Sequence, residues 1–284
     1  MRKLVLAGIL TVLACGGSNG GNNNNNNNGT GTPGLKTFSY GASQTPTTAQ
    51  KNASNTAQTQ MNNAVKATVS NQIASAASLP SLADSLAGSL PTLLAPPAAD
   101  PSMIAAVDPA AIADDGVSLL AHHSAGLTEG CYTFTSSSIT YNACVISGSG
   151  FSETLNGNLS TNGGTVTWNL TVTYSYSAQN VTSNGTYAWS GPITVTATTI
   201  TGQGRSAFTG HVVSGSTTYD YQYTAGFDLN LTYQTTPSFC INGGTLEIRR
   251  TLNATSNATT IPVRDAGIKF TWTGCNTVTV QVGT

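Results

Sequence analysis

The sequence predicts a mainly β protein. Its expected form is a large antiparallel meander (a curved, barrel-like or sandwiched sheet) with an N-terminal helical segment packed on it. Three observations carry this. From Thr128 onward, apolar residues recur at every second position, the period of a half-buried strand. Asn-Gly clusters interrupt these runs, as turn residues do. Charged residues make up only 7% of the chain, against about 25% in an ordinary soluble domain, and Thr, Ser, Asn and Gly supply most of the polar remainder. Clean alternation excludes a parallel sheet buried on both faces.

The longest run is Tyr219, Tyr221, Tyr223, Ala225, Phe227, Leu229, Leu231 and Tyr233, with polar residues or Gly between. At about 3.3 Å per residue it spans roughly 50 Å, so a bend is expected near Gly226. Val166, Trp168, Leu170, Val172, Tyr174 and Tyr176 repeat the pattern, as do Tyr187/Trp189/Ile193/Val195, Leu246/Ile248/Leu252, Ile268/Phe270/Trp272 and Val278/Val280/Val282. Asn156-Gly157, Asn162-Gly163-Gly164, Asn184-Gly185 and Asn242-Gly243-Gly244 are read as the turns between them. About nine to eleven strands result.

Four segments organise the chain: 1–14, 15–46, 47–127 and 128–284. Met1-Arg2-Lys3 and the apolar run Leu4–Leu13 form a signal peptide, too short for a permanent membrane helix. The run ends Val12-Leu13-Ala14-Cys15, which resembles the lipobox of bacterial lipoproteins. The resemblance is confined to the export signal, and Leu13 is bulkier than usual at its position. It implies that Cys15 is lipidated and becomes the mature N-terminus. Gly16 after the cysteine implies sorting to the outer membrane, with the folded part lipid-anchored in the envelope. No family resemblance extends to the β domain. Removal of 1–14 takes away Arg2 and Lys3, leaving eight basic residues against 11 acidic, a formal charge of −3. A near-neutral chain without a basic stripe is not a nucleic-acid binder. The membrane is therefore expected as a partner through the lipid alone.

Residues 16–46, with seven asparagines at Asn22–Asn28, read as a disordered Gly/Asn-rich tether. Its r.m.s. reach is about 30 Å. In 47–78, Ala53, Ala57, Met61, Val65, Val69 and Ile73 recur at every fourth position and predict one helix face. Pro80 ends it. Leu82, Leu86, Leu90, Leu93 and Leu94 form a second stripe expected to pack on the sheet, and 95–127 reads as an Ala/Pro-rich connector.

Cys131, Cys144, Cys240 and Cys275 follow Cys15, and an even number in an exported domain predicts two disulfides. A two-residue hairpin turn at Ser137-Ser138 places Cys131 opposite Cys144 and Phe134 opposite Tyr141, so Cys131–Cys144 is expected, with Cys240–Cys275 by elimination. A Cys₄ zinc site would want short C-x₂₋₄-C spacing, which is absent. Asp114-Asp115 and His122-His123 do not converge either: on a helix Asp115 and His122 lie about 10 Å apart. No metal or cofactor is expected.

Catalysis has no motif to carry it, and no catalytic residue is assigned. His211 has no Ser/Asp motif around it. Of the six carboxylates serving the β domain (Glu129, Glu153, Asp220, Asp228, Glu247, Asp265), most fall on the polar phase of strands. Glu153 and Arg250 are the exceptions, each in phase with apolar neighbours: Phe151 and Leu155, Ile248 and Leu252. Both are expected on the inner side of the sheet, paired with each other or lining a pocket. The functional expectation is a non-enzymatic binding or structural module whose ligand or envelope protein partner the sequence does not name. The alternatives are a carrier of an apolar ligand and an envelope polysaccharide hydrolase using paired carboxylates. A transmembrane barrel would show the reverse polarity, apolar outside and polar within.

Overall fold

The computed structural model describes residues 35–69, 76, 79, 130–148, 150–178, 181–261 and 265–283. Cys15, the 82–94 leucines, Asp114, Asp115, His122, His123 and Glu129 lie outside the described residues. Among the described residues, the helix α1 (Thr48–Val69) precedes the strands β1 (Tyr132–Phe134), β2 (Ser138–Gly148), β3 (Phe151–Asn162), β4 (Thr165–Ala178), β5 (Val181–Val195), β6 (Thr199–Ser214), β7 (Thr217–Gln234), β8 (Cys240–Ser256), β9 (Thr259–Ile261), β10 (Ala266–Gly274) and β11 (Thr277–Gly283). They form one antiparallel meander in sequence order, β9 pairing β8 beside the main path.

The inner phase is the core. Trp168, Trp189, Tyr187, Phe208, Phe227 and Phe270 are almost fully buried, and Phe134 is the large hydrophobic exposed among the described residues. The polar phase faces outward, so the polarity is that of a water-facing sheet rather than a lipid-facing one. Thr-x-Thr pairs that follow no repeat in sequence fall into register across the sheet. One outer row runs Asn162, Thr165, Thr194, Thr201, Asn230, Thr245, Thr271 and Thr279.

α1 begins with a capping box: Thr47 N–H donates to Gln50 Oε1 at 2.9 Å, and Gln50 N–H to Thr47 Oγ1 at 3.3 Å. Its predicted stripe turns inward, with Ala57, Met61 and Val65 buried. The helix touches both β5 and β11, and Gln58 Oε1 accepts from the backbone N–H of Ile241 on β8. Five strand spacings separate β5 from β11, about 24 Å along the sheet, more than twice a helix diameter of about 10–12 Å. A single helix reaches both only because the sheet curls around it.

That curl explains glycines taken as turns in the sequence. Asn162-Gly163-Gly164 is a hairpin turn, with φ of 55° and 81° at its glycines. Asn184-Gly185 instead lies inside β5, where Gly185 faces Tyr174 across the ladder; a Cβ there would sit 2.8 Å from the Tyr174 ring. Gly191 opposite Trp168 and Gly204 opposite Phe227 follow the same rule. On a concave face, large rings converge and the opposing residue must shrink. Asn242-Gly243-Gly244 is likewise within β8, and Asn156-Gly157 within β3. The ladder runs unbroken through Gly226; the irregularity in β7 falls at Thr232/Tyr233.

Both disulfides are present, with Cα–Cα distances of 5.0 Å for Cys131–Cys144 and 5.7 Å for Cys240–Cys275. The expected hairpin register is two residues off. Phe134 pairs with Ile139 and Tyr132 with Tyr141, because the turn is Thr135–Ser138. Cys131 accepts from Asn142 N–H, and a bulge at Asn142-Ala143 carries Cys144 back within reach. Asn156 Oδ1 caps that bulge by accepting from Ala143 N–H at 2.8 Å.

Candidate functional site

β8 carries two adjacent arginines, and alternation sends them to opposite faces. Arg249 points outward. Register places it in a row with Arg205, Gly226, Gly267 and Gly283, beside a second row containing Gln203, Asp228, Glu247 and Lys269. Asp228 accepts from both Arg205 and Arg249, and Arg249 Nε lies 3.1 Å from Glu247. Burial pushes the pKa of both arginines down, and the charge of Arg205 lowers Arg249 further; both remain cations. The desolvation this implies is offset by the two carboxylates they share.

An N-terminal strap crosses this cluster. Residues 35–46, which composition assigns to the free tether, are docked: Tyr40 and Gln44 form β-bridges with Gly283 and Val280 on the β11 edge. Leu35 lies against Gly226, while Phe38, buried, lies against Gly267 and Gly283. An added Cβ would sit 2.9 Å from Leu35 at Gly226, 3.1 Å from Phe38 at Gly267 and 2.8 Å from Phe38 at Gly283, so the glycines form a track. Tyr40 OH donates to Glu247 at 2.8 Å, Arg249 donates to the Lys36 carbonyl, and Lys36 pairs with Asp265. Burial first, and the Glu247 hydrogen bond second, push the Tyr40 pKa up. Sequence reasoning missed the strap; its signal is Leu35, Phe38 and Tyr40 standing in an otherwise small, polar stretch.

Asp228 and Glu247 sit directly opposite each other, a spacing superficially suited to a carboxylate pair in glycoside hydrolysis. Asp228 is bracketed by two guanidinium groups, and Glu247 is already engaged by Tyr40 and Arg249. Both carboxylates are thus engaged in the cluster beneath the strap. His211 Nδ1 lies 2.6 Å from Asp220 Oδ1, both exposed on the outer face. Among the described residues no group of His, Cys, Asp and Glu is arranged to hold a metal ion.

Arg250 points inward, in a row with Ala266, Ala225, Ser206 and Trp189. It is only 6% exposed, and its Nε has no hydrogen-bond partner. Burial pushes its pKa down, opposed by Tyr223 and Asp265. Asp265, just before β10, makes its ion pair with Lys36. Burying a cation this deeply costs several kcal/mol unless partners offset it. Glu153, half-buried on β3 opposite Ile146 and Tyr174, shares the phase of buried Leu155. Four strands stand between it and Arg250 in the sheet, so the ladder does not bring the two together.

The curved sheet also leaves a cavity of about 350 Å³ at its rim, lined by Val65 and Thr68 of α1 with Gly164, Val195, Thr196 and Tyr233. The Tyr233 hydroxyl there is spent on the Thr196 carbonyl at 2.7 Å.

No family model, curated protein or solved structure matches this chain.

Proposed function

We propose that this is a bacterial outer-membrane lipoprotein, held by lipid on Cys15, whose β domain is a non-enzymatic binding or structural module. The observation that carries the anchor is the cysteine inventory. Of five cysteines, four are consumed in two disulfides, and Cys15 alone remains, at the end of a lipobox-like run. Two disulfides in one domain favour an oxidising compartment outside the cytoplasm. The non-enzymatic reading is supported by the way the outer-face carboxylates are spent on arginines and on Tyr40. Much of the aromatic face packs with α1 in one core. Several acyl chains on one residue give stable attachment, since each buried CH₂ contributes about 0.8 kcal/mol.

Metabolic labelling with a radioactive fatty acid tests the anchor. The wild-type chain takes up label, and Cys15→Ser abolishes uptake and accumulates unprocessed precursor. Undiminished label on Cys15→Ser overturns the lipoprotein reading.

A further inference from the structure

We infer that Arg250 is the anion-binding group of a site inside the curl, receiving a carboxylate or phosphate from a ligand that enters the concave face. The inference rests on the binding-module reading of the β domain and is independent of the Cys15 anchor.

Three observations converge on it. Arg250 is more than nine-tenths buried, and its Nε has no hydrogen-bond partner. The charge of Asp265 acts on Arg250, but the ion pair of that carboxylate is with Lys36. Arg249, one residue away, shows that this sheet supplies carboxylates where a buried arginine is structural. The neighbours of Arg250 in the row are Ala266, Ala225 and Ser206, small residues among the larger Tyr223, Phe208 and Trp189. A planar, five-donor guanidinium in such surroundings suits a carboxylate or phosphate, which accepts two parallel hydrogen bonds. The apolar walls suit a ligand carrying that anion on a hydrocarbon body, although a small free anion has the same headgroup chemistry.

The test is calorimetric titration and thermal unfolding of the full chain in non-ionic detergent, with octanoate, octanamide, acetate and inorganic phosphate as probes. Arg250→Met controls for partition into the detergent. Wild type is expected to bind octanoate at least tenfold more tightly than Arg250→Met does, and to melt higher in its presence. Octanamide, which has the same body without the charge, should not distinguish the two chains. Acetate or phosphate binding as tightly as octanoate, again only with Arg250 present, identifies the ligand as a free anion; preference for octanoate identifies an amphiphile. Arg250→Lys keeps the cation and should retain most of the binding. Equal titrations of all anions into wild type and Arg250→Met overturn the inference. So does a ligand-free Arg250→Met chain that melts several degrees below wild type, because the arginine is then structural. A chain that fails here yet still labels at Cys15 loses only this site.

Discussion

Arg249 and Arg250 are neighbours in sequence and opposites in every other respect. Arg249 lies on the outer face, shares two carboxylates with Arg205, and helps to hold the strap. Arg250 lies on the inner face, more deeply buried, and its Nε has no hydrogen-bond partner. The same side chain is thus embedded in a closed network on one face and isolated on the other. The difference shows that burial of charge alone does not mark a site. What marks one is burial without the partners that the same fold supplies a few ångströms away.

The largest effect is expected from Asp228→Ala. It leaves Arg205 and Arg249 facing each other with only Glu247 between them. Because Asp228 is one-third exposed, the full penalty for breaking a buried pair is reduced, and a loss of about 2–3 kcal/mol is expected. Urea unfolding measures it. A loss below about 0.5 kcal/mol would make the outer cluster an ordinary surface ion pair and erase its contrast with Arg250.

Alkali should act next. Burial pushes the Tyr141 pKa up to about 12 and raises that of Tyr40 as well. Above about pH 10 the unfolded chain releases phenolic protons that the folded chain retains, so stability falls as pH rises. For Tyr141 the slope is about 1.4 kcal/mol per pH unit, running from about pH 10 up to its folded value. Melting curves between pH 9 and 12 check this, and Tyr40→Phe should flatten the fall because part of it originates at the strap.

Tyr40→Phe at neutral pH is expected to cost about 1 kcal/mol, the net value of one hydrogen bond. Its sharper readout is hydrogen exchange at Gly41 and Gln44, whose amides donate to Val282 and Val280. Faster exchange there, with β7 and β8 unchanged, shows that the strap releases separately from the sheet.

The fold was largely legible because period-two alternation is a direct consequence of strand geometry. The inward phase of Arg250 followed from the same parity with Ile248 and Leu252. What was not legible depended on curvature. Gly185, Gly191 and Gly204 mark close approach of rings on a concave face, which a local pattern cannot distinguish from a turn. The Cys131–Cys144 bridge was anticipated, but through a register that the Thr135–Ser138 turn shifts and the Asn142-Ala143 bulge then compensates. Leu35, Phe38 and Tyr40 escaped notice because their binding surface is a glycine track on three strands far away in sequence. The isolation of Arg250 was also beyond sequence, since it depends on which strands separate it from Glu153.

The contrast between the two arginines is tested most directly by urea unfolding of Arg249→Met and Arg250→Met side by side in the ligand-free protein. Arg249→Met should lose about 2 kcal/mol, because it strands carboxylates in a partly buried network. Arg250→Met should match wild type or exceed it by about 1–2 kcal/mol, because an apolar side chain of similar length replaces an unpaired buried cation. Arg250→Met losing as much as Arg249→Met would contradict the account, since it would mean that the inner cation is held by partners of its own.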